Sequence, residues 1–444
     1  MTAPKHAAGR RVRGMAGAGR WEERVRQALE AGGDAAAEDL LKRASSRERA
    51  AALEICARWY LDRSQYEAAT AWMRRLLETT DADPRTLLGL GRYAEERHTD
   101  PGVLDAAIAL LRRALAERKP DDAVLECMIL ANLAEALIRR GDRAAGKACL
   151  DQAIRREDEL ARAGSHFAGW MSKFLQLFRA DVQWDEGDRE AASRVYAAML
   201  ADPLAPVEYA RIEERCTASG VDVKTLIRQR RKADLEFTAL AGAEAVEVAP
   251  SAGRTLYASY WKGFEGAPGV LLLAMAGSSR HAWSPYVGEM TARGWHVLAL
   301  DPPGQGMSVG PGLDRKALAE DGKAALEMLA ARGAAAGRLG AVGASFGGTV
   351  ALLTAVAGQP PVRALVLLSP AGTVDAARQR SDPTLLVTSV DDGPFTLRNR
   401  EMFDEAPQGA WELRVLPETG HGTTLLEARP RLWAEVVDWL AEKL

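Results

Sequence analysis

The chain has 444 residues, more than one compact domain of about 150 residues accounts for, which favours two or three domains. Its 58 basic and 61 acidic side chains nearly cancel, which argues against general nucleic-acid binding. No apolar stretch approaches a membrane span, and the four cysteines, Cys56, Cys127, Cys149 and Cys216, show neither metal-ligand spacing nor a disulfide framework. The expectation is a cytoplasmic protein with reduced thiols, no metal and no cofactor.

Residues 1–20 are basic and rich in glycine and alanine, without the apolar centre of a secretion signal, and read as a disordered tail. Residues 21–242 are rich in alanine, arginine and glutamate, and most of them read as amphipathic helix. Within them one text recurs. Ala131-Asn-Leu-Ala-Glu-Ala-Leu-Ile-Arg-Arg-Gly141-Asp142-Arg-Ala-Ala145 has weaker copies at Tyr66-Glu-Ala-Ala69, Leu104-Asp-Ala-Ala107 and Gly187-Asp-Arg-Glu-Ala-Ala192, with a faint one at Gly33-Asp34-Ala-Ala36. The alanine pairs recur every 33 to 47 residues or so, bracketing the tetratricopeptide period of about 34, and the text resembles such repeats. That resemblance implies a concave surface for a protein partner. The alternative is an irregular all-helical domain whose alanine pairs reflect composition. From Pro206 to Gly242 the text reads as helix joining two parts, with Arg228-Gln-Arg-Arg-Lys232 as a solvated helix face.

From about Ala243 the pattern changes to strand and helix in alternation. Gly269-Val-Leu-Leu-Leu-Ala-Met275 reads as a buried strand and runs into Ala276-Gly277-Ser278-Ser279. Trp295-His-Val-Leu-Ala-Leu300 is a second, in which His296 is expected to be a satisfied core residue, and it leads into Asp301-Pro-Pro-Gly304-Gln-Gly306-Met-Ser308. A third apolar run ends at Val342 and is followed by Gly343-Ala344-Ser345-Phe346-Gly347 and then a helix-like stretch. A serine on a sharp strand-to-helix turn needs small neighbours two positions to either side, and the helix start offers N–H groups to an oxyanion. Thr384-Leu-Leu-Val-Thr-Ser-Val390 ends in Asp391-Asp392-Gly393-Pro394, and Trp411-Glu-Leu-Arg-Val-Leu416 is followed by Pro417-Glu-Thr-Gly420-His421-Gly422. Serine, aspartate and histidine each fall just past a strand, on the edge where open α/β sheets bind ligands.

These segments resemble the α/β-hydrolase family, in the order that family presents them. The resemblance implies a mostly parallel sheet flanked by helices over residues 243–444, preceded by the all-α helical-repeat domain. It implies Ser345 as nucleophile and His421 as base. Asp392 stands three residues before Phe395, as the family's acid does. Asp391 is the other candidate, placed by strand alternation to face away and cap the turn. The backbone N–H groups of Ser278 and Phe346 would form the oxyanion hole, although this chain lacks the family's His-Gly after the first of these strands. Ser279 and His281 are candidate pocket residues; His281 precedes the serine, against the family order for the base. Only about fourteen residues separate Ser369 from Thr384, too few for a helical cap, so the helical half is expected to cover the site or recruit a partner. The implied activity is hydrolysis of an ester, thioester or amide on a small molecule, carrier or peptide. The alternatives are a catalytically silent repeat scaffold and a carbon–carbon bond hydrolase of the same fold.

Overall fold

The computed structural model describes residues 18–444 apart from Asp81, 164–165, 204–208, 251–253, 309–314, Asp391, Gly393 and 418–419. The tail expected at residues 1–20 lies, up to residue 17, outside the described residues. The chain packs as two compact units. One runs to Arg118 and includes Glu135–Arg143; the other holds Lys119–Ala134 and Ala144–Leu444.

The first unit is helical: α1 (Ala18–Lys42), α2 (Ser46–Leu61), α3 (Tyr66–Glu78), α4 (Pro84–Arg97) and α5 (Pro101–Glu117). Its sequence punctuates itself. Ser45 and Glu48 form a reciprocal capping box ahead of α2. Asp83 and Asp100 accept the Arg85 and Val103 amides at 2.8 and 3.0 Å, with proline opening α4 and α5. The α1 axis breaks at Gly33, where the faint repeat begins. α2 packs on α3, and α4 on α5. Ala69 and Ala107 are fully buried, where a small side chain lets the helices approach closely.

α6 (Ala123–Arg140) is divided between the units at Ala134, and the second unit continues with α7 (Arg143–Arg162), α8 (His166–Asp185), α9 (Arg189–Ala201), α10 (Tyr209–Ala218) and α11 (Val223–Leu240). The Gly-Asp pairs close helices. Gly187 has φ +90°, a conformation glycine adopts without strain, and the Asp188 amide reaches back to the Gln183 carbonyl at 2.9 Å. Asp188 then caps α9 through the Ala191 amide.

Beyond α11, eight strands form one sheet among the described residues. They are β1 (Glu244–Val248), β2 (Leu256–Trp261), β3 (Gly269–Leu273), β4 (His296–Leu300), β5 (Leu339–Ala344), β6 (Val362–Leu368), β7 (Thr384–Ser389) and β8 (Trp411–Leu416), in the order β1-β2-β4-β3-β5-β6-β7-β8. Only β2 runs antiparallel to both its neighbours; from β4 to β8 the pairing is parallel. Both faces are covered, so the central strands are apolar throughout rather than alternating. Leu271 and Leu273 face a core shared with α13 (Arg315–Ala331) and α14 (Phe346–Ala357). Val270 and Leu272 face another, shared with α12 (Gly288–Ala292), α17 (Thr424–Ala428) and α18 (Leu432–Lys443). α15 (Val374–Gln379) and α16 (Pro394–Glu405) complete the set.

His296 is fully buried with both ring nitrogens occupied, Nδ1 by the Tyr260 hydroxyl at 2.7 Å and Nε2 by the Phe264 carbonyl at 2.9 Å. None of the four cysteines is in a disulfide, and burial pushes the thiols of Cys56 and Cys127 up to about 12. Among the described residues no helix is long and apolar enough to cross a membrane.

Candidate active site

The site is built on the C-terminal ends of β3, β5, β7 and β8. β5 stops at Ala344, and Ser345 turns the chain with φ +49° and ψ −115°, a backbone that L residues rarely adopt and that costs about 1–3 kcal/mol. The surroundings hold it there. The Ser345 amide donates to the Leu368 carbonyl at 2.8 Å, and its own carbonyl accepts from Ala371 and Thr349. A Cβ on Gly343 would overlap the Gly347 carbonyl, and one on Gly347 would overlap the Leu273 carbonyl. The spacing of small residues around the serine is thus a packing requirement.

His421 reaches this serine from the loop after β8. Its Nε2 lies 2.7 Å from Ser345 Oγ, and its Nδ1 lies 2.8 and 3.0 Å from the two carboxylate oxygens of Asp392. With its proton on Nδ1, the imidazole donates to Asp392 and offers Nε2 as acceptor for the serine hydroxyl. The supports are local. The Thr424 hydroxyl accepts the His421 amide at 2.8 Å, Ser389 Oγ donates to the Gly420 carbonyl at 2.9 Å, and the Phe395 ring lies 4.3 Å from the imidazole, centre to centre. Asp392 is placed by the Val390 amide, which donates to Leu416 O and carries the β7–β8 pairing one step past the strands. Asp391 lies outside the described residues.

The loop after β3 forms a tight turn in which the Ser278 amide donates to the Met275 carbonyl at 3.2 Å. Gln305, with its amide nitrogen turned to this loop, donates to the Met275 and Ser278 carbonyls at 2.8 and 2.9 Å. Phe346 opens α14, and the amides of a first helical turn have no partner within the helix. Ser279 is buried. Arg280 and His281 begin a 3-10 turn, Arg280–Trp283, and they carry the feature that the sequence did not disclose.

Arg280 is almost fully buried between two carboxylates. Its Nη1 pairs with Asp301, its Nη2 lies 2.6 Å from Asp234 Oδ2, its Nε donates to Ser259, and its backbone amide donates to Asp301 Oδ1 at 2.7 Å. The other Asp234 oxygen accepts from His281 Nε2 at 2.8 Å. Burial works against the Asp234 charge, yet the hydrogen bonds and charges of His281 and Arg280 outweigh it and hold the carboxyl below its ordinary value. Asp234 comes from α11, and so does Arg230, which donates to the Gly306 carbonyl at 2.8 Å. The basic run read as a solvated face is therefore corrected at one position. Arg228, Arg231 and Lys232 are exposed, but Arg230 is buried. Helical spacing puts Arg230, Asp234 and Thr238 on one stripe, and that stripe faces the sheet domain. Only this repeat of polar residues every four positions could have signalled it. Among the described residues no group of three or more His, Cys, Asp or Glu side chains converges as a metal site.

Residues 270–390, from β3 to the loop after β7, match the sequence model of the family described as serine aminopeptidase, S33. No curated protein matches the chain. Among solved structures it is similar to a predicted CIB-like hydrolase from Thermoplasma acidophilum, at 19% identity and a TM-score of 0.39 over 45% of this chain and 97% of that one. It is likewise similar to the Pyrococcus furiosus esterase Pf2001, at 17% identity and a TM-score of 0.40 over 45% and 91% of the two chains. An acetyl xylan esterase from Paenibacillus sp. R4 matches at 16% identity and a TM-score of 0.38, over 47% of this chain and 92% of its own. The strand order and the family match define the class. The C-terminal part of the chain has the α/β-hydrolase fold, and a helical region precedes it.

Proposed function

We propose that the protein is a serine hydrolase that cleaves an ester, thioester or amide through an acyl-enzyme. The observation that carries this reading is the continuous chain from Asp392 through His421 to the hydroxyl of a backbone-strained Ser345. In the proposed cycle Ser345 Oγ attacks the acyl carbon while His421 Nε2 takes its proton. Nε2 then gives that proton to the departing alcohol, thiol or amine, and Asp392 stabilises the imidazolium in between. Water repeats the sequence on the acyl-serine and releases the carboxylic acid. Phe346 supplies one N–H to the oxyanion. The Ser278 amide is closed onto Met275, so the amide of Ala276, an exposed residue of the same turn, is taken as the second donor.

The helices α8 and α11, in the same compact unit as the sheet, would cover the site and narrow the choice of acyl group. In support, α8 packs beside α17, the helix that follows His421, and α11 is bonded into the loop after β3. An alkyl fluorophosphonate tests the reading. It is expected to label the wild type at Ser345 and to leave Ser345→Ala unlabelled, with turnover of an activated ester falling about 10⁴-fold or more. Equal labelling of both proteins, or of neither, would sink it.

A further inference from the structure

We propose that Asp234, on α11 and outside the hydrolase sheet, is a positioning residue for the turn that supplies the oxyanion donor; the inference rests on the serine-hydrolase reading above. The turn Met275–Ser278 is followed within three residues by Arg280 and His281, and a single carboxylate holds both. Asp234 Oδ2 accepts from Arg280 Nη2 at 2.6 Å, and Oδ1 from His281 Nε2 at 2.8 Å. Asp301 holds Arg280 from the other side, at its backbone amide and at its guanidinium, and Asp301 is itself fixed by the Met307 amide at 3.0 Å. The guanidinium is buried, so it stays where its counter-charges are. Removing Asp234 leaves the Arg280 guanidinium with one carboxylate, Asp301, and the hydroxyls of Ser259 and Thr238, and leaves the His281 ring without its carboxylate.

One turn earlier on the same helix, Arg230 grips the second segment that shapes this turn. It donates to the Gly306 carbonyl, next to the Gln305 whose amide holds the Met275 and Ser278 carbonyls. α11 therefore braces the donor turn through two routes, which meet at the Gly306–Met307 peptide, whose carbonyl accepts from Arg230 and whose N–H donates to Asp301. Neither route touches Ser345, His421 or Asp392. An oxyanion donor works only when aimed at the charge that forms, so a small displacement acts on the chemical step more than on binding.

The test uses the full-length chain. Asp234→Asn keeps the size and removes the charge. It is expected to lower kcat on a short activated ester on the order of 10- to 100-fold, the range of a misplaced oxyanion donor, and to leave KM within about threefold. The rate of fluorophosphonate labelling at Ser345 should fall in parallel, because phosphonylation uses the same donors, and Asp234→Glu should restore part of it. His281→Phe leaves the Arg280 pair intact and serves if Asp234→Asn does not fold; its expected loss in kcat is a few-fold, again at unchanged KM. A folded Asp234→Asn, or failing that a folded His281→Phe, with wild-type kcat and wild-type labelling would overturn the proposal, even if its melting temperature fell. That result is distinct from failure of the hydrolase reading, in which the wild type itself is not labelled at Ser345.

Discussion

At Ser345 the backbone takes a conformation that few residues other than glycine tolerate, and the carbonyl of Leu368 and the glycines at 343 and 347 keep it there. The imidazole of His421 has one nitrogen on that serine and the other on Asp392, so losing the carboxylate frees the ring to adopt the unproductive tautomer. Asp392→Asn is expected to lower kcat about 10⁴-fold with little change in KM. Asp391→Asn should keep most of the rate; steady-state kinetics of the two variants side by side would reverse the assignment if Asp391 proved the more damaging. That Ser345, Asp392 and His421 converge was legible in the sequence because each follows a strand end, and glycine and proline mark those ends. The state of the Ser278 amide was not legible. Its bond to Met275 O is a local closure of a turn, decided by backbone angles that Ala-Gly-Ser-Ser permits in several ways. Arg230 was misread for a different reason: its acceptors, the carbonyls of Met199, Asp202 and Gly306, are 31, 28 and 76 residues away.

Among the helices, α4 holds a group with an unusual resting state. Glu95 is fully buried, and its Oε1 has no partner among the described residues. Burial, with Glu135 and Glu96 behind it, pushes the carboxyl up to about 9 although Arg139 lies 3.3 Å away. The folded protein therefore keeps a proton that the unfolded chain releases from about pH 4.5 upward, and stability falls as pH rises across that window. Glu95→Gln mimics the protonated form and removes the slope. Denaturation midpoints should show the variant more stable than the wild type at pH 8, by on the order of 4 kcal/mol, with the two converging near pH 5 or so. Identical pH profiles would mean that Glu95 is charged when folded. Element types were readable where long apolar runs or glycine punctuation mark them. Apolar runs such as Val270–Leu273 become strands buried on both faces, and the Gly-Asp pairs close helices as a C-terminal glycine should. The face that a helix presents was harder, because α11 packs through polar atoms, whereas amphipathic patterns are read from apolar ones.

For the molecule as a whole, the change of texture near residue 243 is a boundary of secondary structure but falls inside a compact unit. Across it run the Arg280–Asp234 pair, the Arg230–Gly306 bond and a bond of 2.8 Å from the Trp261 indole to the Ala241 carbonyl. Deleting everything before Ala243 leaves Arg280 without one of its two counter-charges, and breaking such a pair costs about 3–5 kcal/mol. A fragment starting there is expected to be poorly soluble, or to cleave short activated esters slowly and without preference for acyl length. Rates on short and long acyl esters, compared with the full chain, decide it; a soluble fragment with an unchanged profile would assign the helices to a partner instead. The stripe on α11 also bears on how such a chain can be inherited. A crossover at residue 242, where helix gives way to strand and a join looks most natural, would part Asp234 from Arg280 and Arg230 from Gly306. A breakpoint upstream of Arg230 keeps both pairs, so a cassette that carries them intact is longer than the hydrolase fold it contains.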